Sequence, residues 1–103
     1  DRRKVEMKNQ SSELKIDAAR REIFKDGRRV YFSPLEFNIL NVIKTHYSQA
    51  LTRQEIIKKA WGGRHALPRT VDQHIARIRR KVGRNAIETA GNYGYRIGMW
   101  VVS

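Results

Sequence analysis

Alternating apolar and polar residues predict short β-strands in the first third of the chain. Residues 4–8 and 14–17 alternate as a half-buried strand does. Residues 22–25 and 29–32 flank Asp26-Gly27, a dipeptide typical of tight hairpin turns. We therefore expect this part of the chain to form a small antiparallel sheet.

The period of the apolar positions then changes to that of helices. Residues 33–36, Ser-Pro-Leu-Glu, combine a capping serine, a proline suited to the first helical position and a glutamate that completes a capping box. Residues 52–55, Thr-Arg-Gln-Glu, repeat the capping signal, and Gly62-Gly63 ends that helix. A third helix is predicted over about 70–82, with Gly83 as its terminator.

Two strands after the helices predict a terminal β-hairpin. They cover residues 86–90 and 95–101, and residues 91–94, Gly-Asn-Tyr-Gly, connect them. A sheet, two helices, a loop, a basic helix and a hairpin follow one another along the chain. This order is the plan of an α+β winged helix-turn-helix domain, in which the hairpin is the wing.

The third helix has two chemically different faces. One narrow apolar stripe, within about 40° on the helical wheel, should face the core. It consists of Val71, Ile75, Ile78 and Val82. The opposite face carries Gln73, Ala76, Arg77 and Arg80, flanked by Asp72 and Arg79 on one side and by His74 and Lys81 on the other.

Charge points to a polyanionic partner. The chain of 103 residues holds 22 Lys and Arg against 10 Asp and Glu, a net charge of +12. Residues 53–84 alone hold ten basic and two acidic residues. Such an excess favours nucleic acid or an anionic membrane surface. The apolar runs are too short to span a bilayer, and the absence of cysteine excludes disulfides and is compatible with the cytoplasm.

The residue types on the polar face of the third helix suit a DNA major groove. Arg77 and Arg80 can donate paired hydrogen bonds to guanine, and Gln73 matches adenine. Asp72 can accept from a cytosine amino group or orient a neighbouring arginine, and Ala76 is small enough to let the helix approach closely. We predict that these five residues contact bases or adjacent phosphates.

Catalysis and metal binding lack a supporting pattern. Asp72 and His74 are two residues apart on a helix, so they point in different directions, and no nucleophile accompanies them. The histidines at 46, 65 and 74 do not have metal-ligand spacing. We therefore predict no enzyme activity, no metal and no cofactor, and a packing or hydrogen-bonding role for His74.

Two aromatic residues leave alternatives open. Trp61 belongs either to the core or to a surface beside DNA. Tyr95 can donate to a phosphate, as can Thr89, Asn92 and Tyr93 in the hairpin, or it can pack the hairpin on the third helix.

Several spaced segments together resemble the C-terminal effector domain of OmpR/PhoB-type response regulators. They are residues 33–40, residues 51–57 leading to Ala60-Trp61-Gly62, residues 69–83, and residues 87–90 followed by Gly94-Tyr95-Arg96. The resemblance covers nearly the whole chain.

This resemblance implies one effector domain over residues 1–103. Its parts would be a four-stranded antiparallel sheet at 3–32, three helices within 33–83 and a wing at 86–101. The third helix would enter the major groove of double-stranded DNA, and the wing would lie near the minor groove. Backbone contacts are implied for Trp61, Arg69, Thr70, Arg79, Lys81, Thr89 and Tyr95.

The resemblance also implies partners. Family members usually bind direct repeats as head-to-tail homodimers, and their loop before the third helix, here 62–68, can contact RNA polymerase. A receiver domain would precede this chain in a cytoplasmic two-component regulator, and a membrane-anchored regulator with a cytoplasmic domain of this type is the alternative. The domain itself would not contact a membrane.

The wing departs from the family pattern. Gly91 stands where an arginine usually reaches the minor groove, and Asn92 and Tyr93 follow it. These three residues are therefore weaker candidates for DNA contact, and the loop at 62–68 is about one residue short. Non-specific nucleic-acid binding and a protein-interaction role remain the competing hypotheses.

Overall fold

Three α-helices lie in the part of the chain that the computed structural model describes, residues 13–98 and the backbone of 101–102. They are α1 (Pro34–Thr45), α2 (Arg53–Ala60) and α3 (Pro68–Val82). A single 3₁₀ turn, Arg84–Ala86, follows α3. The third helix thus starts before the predicted residue 70, because Pro68 takes the first helical position, where a missing N–H costs nothing.

The two predicted capping boxes are confirmed. Ser33 Oγ accepts from the N–H of Glu36 at 3.2 Å, and the Glu36 carboxylate accepts from the N–H of Ser33 at 2.9 Å. Thr52 and Glu55 form the same reciprocal pair at 3.0 and 2.8 Å. Both helix starts are therefore determined locally, by residues three positions apart.

The N-terminal sheet differs from the expected one. The described residues of this region, 13–32, form three antiparallel strands: β1 (Leu14–Asp17), β2 (Glu22–Lys25) and β3 (Arg28–Val30). A short strand near the C-terminus, which we number β7 (Val101–Val102), pairs parallel to β1. The expectation of a four-stranded, wholly antiparallel N-terminal sheet is wrong in this form. The strand predicted at 4–8 lies outside the described residues.

A second sheet contains the wing. It has the order β4 (Leu51–Thr52), β6 (Gly94–Ile97) and β5 (Ile87–Ala90), with antiparallel pairing throughout. The two-residue strand β4 was too short to be predicted from alternation.

The predicted wing strand at 95–101 differs from the structure at Gly98, which lies outside β6, and at residue 101, which belongs to β7. The chain leaves the wing at Gly98, whose backbone approaches Asn85 so closely that a Cβ there would lie 1.6 Å from its carbonyl oxygen. Residues 101–102 pair with β1 instead. The apolar pattern of a strand does not specify which other strand it pairs with. The pairing of residues 101–102 with β1 therefore could not be predicted.

One hydrophobic core joins the helices to both sheets. α1 contributes Phe37, Ile39, Leu40 and Ile43, and the sheets contribute Leu14, Ile16, Ile23 and Ile87. The predicted stripe of α3 is confirmed, since its four residues are at most 3% exposed. Burial of this stripe determines which face of α3 is directed to solvent.

Candidate nucleic-acid interface

The face of α3 opposite the core is open to solvent. Gln73, Ala76, Arg77 and Arg80 are all exposed. Within the described part of the chain, no hydrogen bond or ion pair engages the side chains of Gln73, Arg77 or Arg80. The helix therefore presents two uncommitted guanidinium groups and an amide around a small central alanine.

The first turn of α3 is also accessible. Leu67 is its N-cap and makes no side-chain capping hydrogen bond. Arg69 is exposed, whereas Thr70 is half-buried. Pro68 has no N–H, and the N–H of Thr70 donates to the carbonyl oxygen of Leu67 at 2.9 Å, so in this turn the N–H of Arg69 is left for an anion.

His74 and Trp61 pack together behind this turn. The Nδ1 of His74 lies 2.8 Å from the carbonyl oxygen of Thr70 and can donate to it. The two rings meet edge to face, with centroids 5.5 Å apart. Trp61 is 6% exposed, so it belongs to the core, one of the two alternatives left open, and only a small part of it can reach DNA.

Asp72 is engaged inside the protein. The hydroxyl of Tyr95 donates to its Oδ1 at 2.5 Å, and Nε of Arg53 donates to the same oxygen at 2.7 Å. The Arg53 guanidinium also lies over the Tyr95 ring, 5.2 Å from its centroid. These contacts connect α2, α3 and the wing at one carboxylate.

The ionisation of this cluster follows from its contacts. Burial raises the pKa of the Tyr95 hydroxyl, and the neighbouring Asp72 raises it further. The hydrogen bond to Asp72 raises the pKa of Arg53 above its ordinary value. The cluster therefore keeps a proton on Tyr95 and a charge on Arg53. Sequence reasoning missed Arg53, since nothing nearby in the chain links it to a residue 19 positions later.

Arg79 ties the wing to α3. Its Nε and Nη2 donate to the carbonyl oxygen of Ile87 at 3.1 and 2.7 Å, and Nη2 also donates to the hydroxyl of Thr89 at 3.0 Å. The guanidinium lies 5.6 Å from the centroid of the Tyr95 ring. Tyr95 itself is only 5% exposed and packs the hairpin on α3.

Lys81 ties the other flank of α3 to the start of α1. Its ammonium donates to the carboxylate of Glu36 at 2.5 Å and to the carbonyl oxygen of Tyr31 at 3.0 Å. It also lies near the rings of Tyr31 and Phe32. Burial alone would raise the pKa of Glu36, but hydrogen bonds from Lys81 and Ser33 outweigh it and hold the pKa below its ordinary value.

The wing tip is exposed. Gly91 has a φ of +55°, a conformation that favours glycine, and the N–H of Tyr93 closes the turn by donating to the carbonyl oxygen of Ala90 at 2.9 Å. Asn92 is exposed, and Tyr93 is 55% exposed.

Apart from Thr70, which is half-buried and lies 2.8 Å by its carbonyl oxygen from Nδ1 of His74, the predicted site residues fall into two groups. Those facing solvent are Arg69, Gln73, Ala76, Arg77, Arg80, Thr89, Gly91, Asn92 and Tyr93. Those committed to contacts inside the protein are Trp61, Asp72, Arg79, Lys81 and Tyr95. The second group determines how the first is presented.

Neither a metal site nor a membrane span is found among the described residues. No group of three or more His, Asp or Glu side chains there could hold a metal ion. No helix in the described ranges is long and apolar enough to cross a bilayer.

The family of transcriptional regulatory protein C-terminal domains matches residues 27–97. The chain belongs to this family. It is an OmpR/PhoB-type effector domain, and its function is DNA-binding transcription regulation.

Relatives of this effector domain include regulators of known name. The transcriptional regulatory protein VxrB of Vibrio cholerae is 34% identical over 88 residues, which are 84% of this chain and 36% of VxrB. The phosphate regulon transcriptional regulatory protein PhoB of Pseudomonas aeruginosa is 33% identical over 87 residues, 81% of this chain and 38% of PhoB. The chain thus spans little more than a third of the length of these relatives.

Solved structures share the fold of the effector domain. The response regulator DrrB of Thermotoga maritima, an OmpR/PhoB homologue, superposes with a TM-score of 0.76 at 31% identity, covering 84% of this chain and 42% of DrrB. A second structure is the RstA DNA-binding domain of Klebsiella pneumoniae in complex with the RstA box. It superposes with a TM-score of 0.71 at 29% identity, and the match covers 81% of this chain and 88% of the RstA domain chain.

Proposed function

We propose that this effector domain binds double-stranded DNA sequence-specifically, with the polar face of α3 in the major groove. The contrast between the two faces of α3 carries this proposal. One face is an apolar stripe buried to at least 97%, whereas the other presents uncommitted donors. A major groove about 12 Å wide accommodates one helix, and the donors of this face match base edges.

Base contacts are proposed for the exposed residues of this face. Arg77 and Arg80 would donate to guanine, Gln73 would pair with adenine, and Ala76 would permit close approach. For Asp72 we favour the second of its two possible roles, in which it orients an arginine. Its bonds to Arg53 and Tyr95 support this choice.

Phosphate contacts are proposed for the exposed residues around this face. Arg69 and the uncapped first turn of α3 form one such region, and Thr89 with Asn92 and Tyr93 of the wing forms another. The remaining backbone candidates would position α3 and the wing by their contacts inside the protein. These are Trp61, Arg79, Lys81 and Tyr95.

The rest of the regulator is proposed from its relatives. Since the chain covers 36–38% of VxrB and PhoB, a receiver domain would precede it in a cytoplasmic protein. Two copies would bind direct repeats head to tail. The predicted loop at 62–68, which ends at residue 67 because Pro68 begins α3, would be available to RNA polymerase, and Leu67 in it is 54% exposed. The role is binding rather than catalysis, as in the regulators it resembles.

Selection of bound sequences from a random double-stranded library tests the proposed function. We expect a consensus sequence. On that sequence Arg77→Ala should cost about 1–3 kcal/mol of binding free energy and relax the preference at one base. Arg69→Ala should weaken binding to selected and random DNA alike, since phosphates contain no sequence information. The control is Arg28→Ala, which removes an exposed arginine on β3.

Three outcomes would contradict the proposal. A selection without consensus would favour non-specific nucleic-acid binding. No binding to any duplex at low salt would favour a protein-interaction role. Equal losses for Arg77→Ala on selected and random DNA would remove α3 as the element that determines specificity.

A further inference from the structure

An open groove of about 450 Å³ lies between the end of α3 and the outer strand of the wing. Arg79, Arg84 and Arg96 line it together with Asn85 and Thr89. The carboxylate in its lining belongs to Glu88, which is paired with Nε of Arg96 at 2.8 Å. The groove is therefore strongly basic and rich in hydrogen-bond donors.

The short turn after α3 determines where this groove lies. Gly83 ends the helix with a φ of +104°, and the N–H of Ala86 donates to its carbonyl oxygen at 3.3 Å. The N–H of Gly98 donates to the carbonyl oxygen of Ala86 at 2.8 Å, and no Cβ would fit between Gly98 and Asn85. The turn is thus packed against the base of the wing, and Arg84 and Asn85 are held at the groove.

Several hydrogen-bond donors in the groove are not used in contacts within the described part of the protein. Arg84 is exposed and makes no hydrogen bond or ion pair with another described residue. Arg79 uses Nε and Nη2 for the wing, which leaves the N–H groups of Nη1. The Thr89 hydroxyl accepts from Arg79, so its own proton remains available. An anion with several acceptor oxygens matches this arrangement.

We propose that this groove binds a backbone phosphate of the DNA strand that passes between α3 and the wing, with Arg84 as the principal new contact. This inference rests on the function proposed above. Arg79 of the groove lies three positions after the exposed Ala76 on α3, so the groove adjoins the exposed face on the helix surface. A phosphodiester has only acceptor oxygens and carries a negative charge, which matches a groove lined by three guanidinium groups.

The salt dependence of binding measures such a contact. Each neutralised phosphate adds about 0.9 to the slope of log Kd against log salt concentration. Arg84→Ala should therefore reduce that slope by about one and weaken binding about eightfold at 0.1 M salt. The loss should be equal on the selected duplex and on a random duplex of the same length. Arg84→Lys should recover much of the slope, and Arg28→Ala should leave it unchanged.

A second variant changes the groove in the opposite direction. Glu88→Gln removes the carboxylate and frees the guanidinium of Arg96, so it should tighten binding to both duplexes. A merely destabilised protein would not bind more tightly, which separates this result from a folding defect.

An unchanged slope for Arg84→Ala, or weaker binding by Glu88→Gln, would overturn the groove site. A slope lowered as much by Arg28→Ala would also overturn it, because the effect would then reflect net charge alone. If Arg77→Ala still relaxes base preference in that case, the proposed function stands without the groove. If Arg77→Ala does not, the proposed function fails independently.

Discussion

Two neighbouring cations at the end of α3 should have opposite roles. Lys81 is bonded to the buried carboxylate of Glu36 and to the carbonyl oxygen of Tyr31, whereas Arg80 faces solvent without a described partner. Replacing either by alanine removes one positive charge from the same helical turn and leaves a good helix former. The pair therefore separates stability from DNA affinity.

The cost of Lys81→Ala follows from what remains after the substitution. Glu36 is 4% exposed, so its carboxylate would lose its counterion in a nearly dry site. A hydrogen bond to a charged group contributes about 1.5–3 kcal/mol, and breaking a fully buried pair costs about 3–5 kcal/mol. The Lys81 side chain is 31% exposed, and Glu36 keeps the N–H of Ser33. We therefore expect a loss of about 2 kcal/mol.

Thermal unfolding and DNA titration together check this prediction. A loss of about 2 kcal/mol corresponds to a Tm lower by roughly 8–16 °C for a domain of this size. Arg80→Ala should change the unfolding free energy by no more than about 0.5 kcal/mol. Below both Tm values, Arg80→Ala should weaken binding to the selected duplex by about 1–3 kcal/mol, and Lys81→Ala should not. Equal stabilities, or equal losses of affinity for the selected duplex, would refute the division of roles.

Two further predictions concern stability. Because the pKa of Glu36 is lowered in the folded state, its ionised form stabilises the fold above its ordinary pKa of 4.5, and this contribution is lost as pH falls through the lower folded value. Urea unfolding should show a flatter pH dependence below about pH 5 for Glu36→Gln than for the parent, and parallel curves would contradict it. Gly94→Ala should cost about 3 kcal/mol or more, since its Cβ would lie 1.9 Å from the Leu51 carbonyl oxygen of the paired strand. Gly27→Ala, with open space but a φ of +83°, should cost only about 1–2 kcal/mol, and equal costs would rule out the steric cause.

Local patterns allowed much of this fold to be predicted from sequence. The capping boxes at Ser33 and Thr52 each depend on residues three positions apart, and the buried stripe of α3 follows from the helical period. The exposure of Gln73, Arg77 and Arg80 follows in turn, because they lie opposite that stripe. These features need no knowledge of distant residues.

Contacts between distant residues could not be predicted in the same way. Asp72 was a candidate for a base contact, and sequence could not reveal that Arg53 on α2 and Tyr95 on the wing both donate to its Oδ1. Lys81 looked like a phosphate contact, but Glu36, 45 residues earlier, binds it. A basic residue that binds DNA and one that binds a neighbouring element of the fold can have the same charge and the same position on the helix. The sequence alone therefore does not distinguish them.

The same limit applies to the strands. The alternation of residues 95–101 predicted one continuous strand, yet it breaks at Gly98, and residues 101–102 pair with β1. The close approach of Gly98 to Asn85 depends on the turn after α3, which has no strand or helix period of its own. Pairing partners are a property of the assembled fold.

A chemical change in the DNA tests the central claim most directly. Substituting 7-deazaguanine for guanine removes the N7 acceptor from the major groove and leaves the base pair and the minor groove unchanged. Each guanine of the selected site would be substituted in turn, and Kd measured for the parent chain and for Arg77→Ala. We expect one guanine whose substitution weakens the parent but not the variant, a coupling of about 1 kcal/mol or more. If no guanine substitution weakens the parent, or if the two losses simply add at every position, α3 does not present Arg77 to the major groove.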